Sequence, residues 1–413
     1  MSRRTVLGGA AAGLAGAWLA PSTGSASTGR RSFEQAVDAT AARFAGALIG
    51  LRRDIHRHPE VAGEEARTSA VVAHWLRAAG LSVTTGIGGH GVVGVLSGAR
   101  SGRTVAYRAD MDAVPPDEQI GGGTTLAHVC GHDIHTTVGI GIAQVLARLR
   151  ERLAGRVVFV FQPGEESLTG AAAMLADHVL DRFRPSEIHA LHCGPFPVGQ
   201  FVVAPGTGLP GQDRGSISLA GPDAAARADR LAARINALGT VARPGTPADL
   251  ERLVAEIQTP HGPLERFVFM QAQPVPVDGG VDVRFSYRCW PEDRWAEVRG
   301  AVERLGPAVF PHDPFPALVT PERDGLALRR YLLRTVGRPR TAVMHAAIPY
   351  SGEDFSLFLR RIPGTFSFLG VRRPGAGIET SYPHFVTFDP DERAIGYGVR
   401  GMAGWLAARA GTS

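Results

Sequence analysis

Arg156-Val157-Val158-Phe159-Val160-Phe161 runs without a break into Gln162-Pro163-Gly164-Glu165-Glu166. The apolar run has no polar face, so it reads as a strand buried on both sides, the kind found in a sheet sandwiched between helices. Pro163 and Gly164 end it. Two carboxylates then stand at the strand's C-terminal end, where open α/β sheets build their active sites. Taken alone, the glutamate pair is equally a solvated loop. The same succession recurs on either side. Residues 104–108 lead into Arg108-Ala109-Asp110-Met111-Asp112, and Ile188-His189-Ala190-Leu191-His192 leads into Cys193-Gly194.

Further out, apolar residues at helical spacing mark 32–79, through Phe44, Leu48, Leu51 and Ile55, then Val71, Val72, Trp75 and Leu76. Helices are also predicted at 135–150 and 170–179, and short strands at 81–84 and 91–96. Strands alternating with helices predict an α/β fold, a sheet covered by helices. The character changes near 211–215. From 216 to about 310 the order strand, helix (224–238), helix (247–257), strand (267–271), strand (281–289), helix (294–305) predicts a separate α+β unit. After 316 the first character returns, with a strand at 365–369 and a last helix at 394–408. The predicted organisation is an N-terminal segment (1–30), a discontinuous large domain (31–212 and 313–413) and an inserted α+β domain (213–312).

The formal net charge is +5 and every basic residue is arginine. The arginines are scattered and form no aromatic-studded stripe, which speaks against a nucleic-acid surface. Arg3-Arg4, an uncharged Ala/Gly/Leu stretch to Ala20 and small residues around Ala26 predict a cleaved export signal of the twin-arginine type. The expected product is exported and keeps no stable membrane span. The three cysteines, Cys130, Cys193 and Cys289, leave at least one thiol unpaired.

The densest chemistry is His128-Val129-Cys130-Gly131-His132-Asp133-Ile134-His135, a loop that opens a helix. Thiolate and imidazole both bind zinc-like ions, and Gly131 lets Cys130 and His132 converge. A helix cap with exposed histidines is the bland alternative. Glu165 and Glu166 can divide labour, one holding metal and one moving a proton. His192 is either a ligand or a core residue. Cys193 should face away from it, although a Cys130–Cys193 disulfide would abolish the site. Alternation puts Asp110 and Asp112 on one face, where one of them can fix a ligand imidazole, or the pair caps a turn. The coincidence of these groups at strand ends points to a metal hydrolase.

The motifs also stand in a familiar order. His56-Arg57-His58-Pro59-Glu60, Arg108-Ala109-Asp110-Met111-Asp112-Ala113, Cys130-Gly131-His132-Asp133-Ile134-His135-Thr136, Phe161-Gln162-Pro163-Gly164-Glu165-Glu166 and Ser351-Gly352-Glu353-Asp354-Phe355 resemble the amidohydrolase branch of the aminoacylase and carboxypeptidase metallopeptidase family. The resemblance implies a catalytic domain with a mixed sheet flanked by helices, interrupted by a lid or dimerisation domain, and a possible homodimer through that domain. It implies two divalent ions (zinc, manganese or cobalt) held by Cys130, His132, Glu166, His192 and His384, with Cys130 bridging. Glu165 would be the general base, Asp112 its support behind the ligands, and Arg288 a substrate-binding residue. The substrate would be a small N-acyl amino acid or related compound. A dipeptidase or carboxypeptidase of the same family, or an exported homologue that binds without catalysis, are the alternatives. Two stretches depart from the family pattern. Gly221-Pro222-Asp223-Ala224-Ala225 has aspartate where a histidine is expected, and Pro274-Val275-Pro276-Val277-Asp278 lacks an expected asparagine.

Overall fold

The computed structural model describes residues 24–411. The export signal expected over 1–30 therefore lies outside the described residues, apart from its C-terminal end, which extends the first helix, Gly24–His56. No described helix is long and apolar enough to cross a membrane.

The strands, in chain order, are β1 (Ser82–Ile87), β2 (Gly91–Ser97), β3 (Arg100–Asp110), β4 (Ala154–Gln162), β5 (Ile188–Pro197), β6 (Phe201–Val203), β7 (Gly208–Leu209), β8 (Asp213–Ala220), β9 (Phe267–Val277), β10 (Gly280–Trp290), β11 (Leu318–Val319), β12 (Thr341–Val343) and β13 (Gly364–Arg372). Eight form one sheet in the order β1-β2-β4-β3-β5-β13-β6-β12. Its centre is parallel: β3 pairs with β4 and β5, and β5 with β13. Antiparallel pairs, β1 with β2, β2 with β4 and β6 with β13, flank it, so the sheet is mixed. The short strands β6 and β12 carry no pattern long enough to be read from sequence.

β4 behaves as its apolar run requires. Val157, Phe159 and Phe161 enter the core on one face, and Val158 and Val160 enter the core on the other. The first face is covered by the long helices Gly24–His56, Ala66–Ala78, His132–Arg148, Glu322–Thr335 and Arg393–Ala410. The second is covered by shorter helices, including Gly170–Ala176 and Ser356–Leu359.

A second, three-stranded sheet, β8-β10-β9, is antiparallel and packs its own core with the helices Ala224–Asn236 and Trp295–Glu303. One neighbour in sequence goes elsewhere. The helix Pro247–Ile257 buries Leu253 and Ile257 in the core under the large sheet's thinner face. Its Ile257 carbonyl accepts bonds from the backbone N–H groups of His345 and Ala346, at 2.7 and 3.2 Å. The 213–312 stretch is thus tied to the large domain by a helix that periodicity alone would assign to the small one.

Candidate metal centre

The centre lies where β3, β4 and β5 end. Cys130 and His132 come from the loop before the helix His132–Arg148, with Gly131 at φ +96° between them. A side chain at that glycine would place its Cβ 2.8 Å from the Cys193 sulfur, so only glycine brings the two ligand candidates this close. His384 arrives from a late loop at φ +69°, an uncommon conformation for a residue with a side chain. Backbone bonds hold it there: His384 N–H donates to Val129 and Ile120 N–H donates to His384.

The five predicted ligands meet. Cys130 Sγ stands 3.4 Å from His192 Nε2, His132 Nε2 3.6 Å from Glu166 Oε1, and His384 Nε2 3.3 Å from Glu166 Oε2. Two ligand atoms about 2.0–2.3 Å from one tetrahedral ion stand roughly 3.3–3.8 Å apart, so these spacings suit shared cations. The imidazoles are presented uniformly. Each Nδ1 faces a backbone oxygen: His132 that of Asp112 (2.9 Å), His192 that of Cys193 (2.7 Å), His384 that of Glu118 (3.4 Å). Each Nε2 is thereby left to turn its lone pair into the cluster. His132 Nε2 and Glu166 Oε1 are buried and have no hydrogen-bond partner. The donor set and these orphaned atoms fit divalent metal.

Electrostatics agree. Burial disfavours a charged His132, but Asp110, Asp112 and Glu166 outweigh it and lift its pKa to about 10. Burial also opposes charge on Glu166, yet His384 and His132 pull its carboxyl down to about 2. Burial, then Glu166 and Glu165, push the Cys130 thiol far up, so a thiolate there requires a cation. The excess of anions marks a site for positive charge.

Around the cluster stand its supports. Asp112 lies 3.3 Å from His132 Nδ1 and accepts Glu166 N–H at 2.8 Å, so one carboxylate steadies both a ligand and the glutamate turn. Glu165 is buried, and burial followed by Glu353 and Glu166 raises its proton affinity well above that of an ordinary carboxylate. Arg288, on β10, donates from one terminal nitrogen to Gln212 Oε1 (2.9 Å) and keeps the other buried and unpartnered. All line or border a cavity of about 490 Å³, except Asp112 and His132, which stand behind it.

Two histidines of the dense motif stand outside the proposed ligand set. His135 Nε2 accepts Cys193 N–H (2.8 Å), so its Nδ1 carries the proton and donates to Asp110 (2.5 Å); neither nitrogen is free. His128 is buried beside His56, 6.4 Å between ring centroids. The His56 motif supports the loop from behind, since His56 and Arg52 both contact Asp133 at 2.8 Å. All three cysteines are free thiols, so the Cys130–Cys193 disulfide does not form. Cys193 joins the opposite core from His192's aromatic neighbours, as alternation requires.

Sequence reasoning assigned no role to Arg108, Glu65, Glu353 or Asp354. Arg108 is buried and bonds Asp110 (2.7 Å), Glu353 (2.9 Å), Asp354 (3.1 Å) and Gln162 (2.9 Å). The signal was available: an arginine inside a strand that is apolar on both faces must have acidic partners. Glu65 accepts Gly164 N–H at 2.7 Å and fixes the turn before Glu165. Asp223 starts the helix Ala224–Asn236 in an exposed position, and residues 274–278 form the end of β9 and its turn; neither stretch lines the cavity.

A mixed sheet whose strand ends gather thiol, imidazole and carboxylate around buried, unpartnered donor atoms defines a metal-dependent hydrolase. The chain belongs to peptidase family M20/M25/M40, whose profile matches residues 106–408, and it is a hydrolase of carbon–nitrogen bonds. It is 30% identical over 372 residues to an N-acetylcysteine deacetylase of Bacillus subtilis, spanning 84% of this chain and 93% of that protein. It is 29% identical over 386 residues to thermostable carboxypeptidase 1 of Saccharolobus solfataricus, spanning 85% and 92%. Among solved structures it resembles a dinuclear metal-binding peptidase of this family from Bacillus subtilis, with a TM-score of 0.67 and 26% identity over 89% of this chain and 99% of the other.

Proposed function

We propose that the protein cleaves the amide bond of N-acyl amino acids, with two divalent ions held by Cys130, His132, Glu166, His192 and His384. The observation that carries this is the common presentation of the three imidazoles, each with Nδ1 facing a backbone oxygen and Nε2 turned toward Cys130 or Glu166. When bound, the ions supply Lewis acidity, polarising the amide carbonyl and making water acidic enough to attack near neutral pH. Glu165 takes a proton from the attacking water and returns it to the leaving amine. Its burial beside Glu353 and Glu166 suits a group that must keep that proton between the two transfers. Arg288, with one buried nitrogen unpaired, holds the substrate carboxylate. The cavity of about 490 Å³ suits a small N-acyl compound better than a long peptide.

Purified protein is expected to carry two divalent ions per chain, zinc, manganese or cobalt, and to lose activity to a chelator and regain it on metal addition. Cys130→Ala should bind less metal by elemental analysis. Full turnover of N-acetyl amino acids in excess chelator would overturn the proposal. Export through the twin-arginine route belongs to the same reading, because Cys130 could load metal before leaving the cell. Changing Arg3 and Arg4 to lysine should strand the precursor inside; unchanged export rejects that route.

A further inference from the structure

Two guanidinium groups line the cavity, those of Arg288 and Arg243. Among the described residues neither has a carboxylate within ion-pair distance. Arg288 is the deeper one. It lies so close to Gly352 that a Cβ there would stand 2.5 Å from its terminal nitrogen, and Gly352 adjoins Glu353 at the metal end. Arg243 is exposed at the mouth, on the connection between the helices Ala224–Asn236 and Pro247–Ile257.

That connection is not a free loop tip. Tyr350 hydroxyl donates to the Ala242 carbonyl at 2.6 Å, and Thr240 N–H donates to Val268 at 2.8 Å. The following helix is anchored in the large domain's core by Leu253 and Ile257 and by the Arg372–Glu251 ion pair at 2.5 Å. Arg243 itself rests on the Phe269 ring, 5.7 Å from its centroid, with only a long contact of 3.4 Å to Gln271. Two like charges held over one cavity repel each other. Burial already lowers the pKa of Arg288 to about 10, and Arg243 adds to that effect against the smaller opposing pull of Glu165. An anion between them relieves both costs.

We propose that Arg243 is a specificity-determining residue that receives a second carboxylate of the substrate, so that the preferred substrates are N-acyl derivatives of dicarboxylic amino acids. This rests on the reading above, in which Arg288 takes the carboxylate next to the scissile amide. The second carboxylate then belongs to the amino-acid side chain, and among the described residues Arg243 is the other arginine lining the cavity that can receive it. The apolar walls supplied by Leu209, Leu250 and Ile348 cannot solvate that charge, and Arg243 can.

The test compares N-acetyl-L-glutamate with N-acetyl-L-glutamine, nearly isosteric compounds that differ in that one charge. For the metal-loaded wild-type protein the glutamate compound should have a kcat/KM about tenfold higher, the size expected of one charge-assisted bond at a partly exposed site. Arg243→Gln should bring the ratio close to one, and Arg243→Lys should keep part of it. Calorimetric affinities of the same two compounds are measured in parallel. A ratio near one in wild type, or an undiminished ratio in Arg243→Gln, overturns the proposal. Cleavage of both amides at equal rates would defeat the Arg243 assignment and leave the amidohydrolase reading standing. Cleavage of neither defeats that reading, and the affinities then decide Arg243 alone.

Discussion

Glu165→Gln is expected to lower kcat by about 10²–10⁴-fold while leaving KM and the fold nearly intact. The position is set by the chain around it. β4 stops at Gln162, Gly164 turns at φ +63°, and the turn is held from two sides, Gly164 N–H on Glu65 and Glu166 N–H on Asp112. Glutamine keeps the shape and loses only the ability to take a proton. Stability should not fall. Burial raises the folded-state pKa of Glu165, so its ionised form weakens the fold as pH rises above the unfolded carboxyl's value of about 4.3. At neutral pH the substitution removes that burden. Steady-state kinetics with a melting curve test this: kcat within threefold of wild type, at equal metal content, removes Glu165 from the chemistry.

Arg108→Met is expected to cost about 3–5 kcal/mol of stability at neutral pH, the penalty for leaving buried carboxylates without their cation. Arg108 is 2% exposed and is the cation that Asp110, Glu353 and Asp354 all contact. Burial, then Glu353, already push Asp354 up to about 7 against the pull of Arg108, and Glu353 is raised by burial too. A carboxyl whose folded pKa is raised contributes stability that is full below its unfolded value and lost as pH rises. For Asp354 that window runs from 3.8 to about 7. Removing Arg108 removes the opposing attraction, so the part of the defect carried by Glu353 and Asp354 should shrink toward pH 4 and be largest above pH 7, while the part carried by Asp110, held well below the usual carboxylate range, remains at both ends. Urea unfolding at the two ends of that range measures it. A loss under about 1 kcal/mol at high pH would show that the three acids do not depend on Arg108, and a larger loss that does not vary with pH would show that Glu353 and Asp354 do not.

These effects separate what is local in the sequence from what is not. The run at 157–161 specified a doubly buried strand because side-chain alternation and turn chemistry are properties of neighbouring residues. For the same reason Gly131 between Cys130 and His132, and the glutamates after Pro163-Gly164, were legible as candidate chemistry. The sequence by itself also determined the α/β class and, by resemblance, the set of side chains that the structure gathers around Glu166. It did not determine which nitrogen of which histidine is free. His135 sits three residues from His132 yet is consumed by Asp110 and the Cys193 backbone, whereas His384, far along the chain, reaches the cluster. Nor could it place the helix Pro247–Ile257 on the large domain, which is what carries Arg243 to the cavity. Hydrogen-bond partners and packing surfaces are chosen among groups that only folding brings together, so tertiary structure alone decided them.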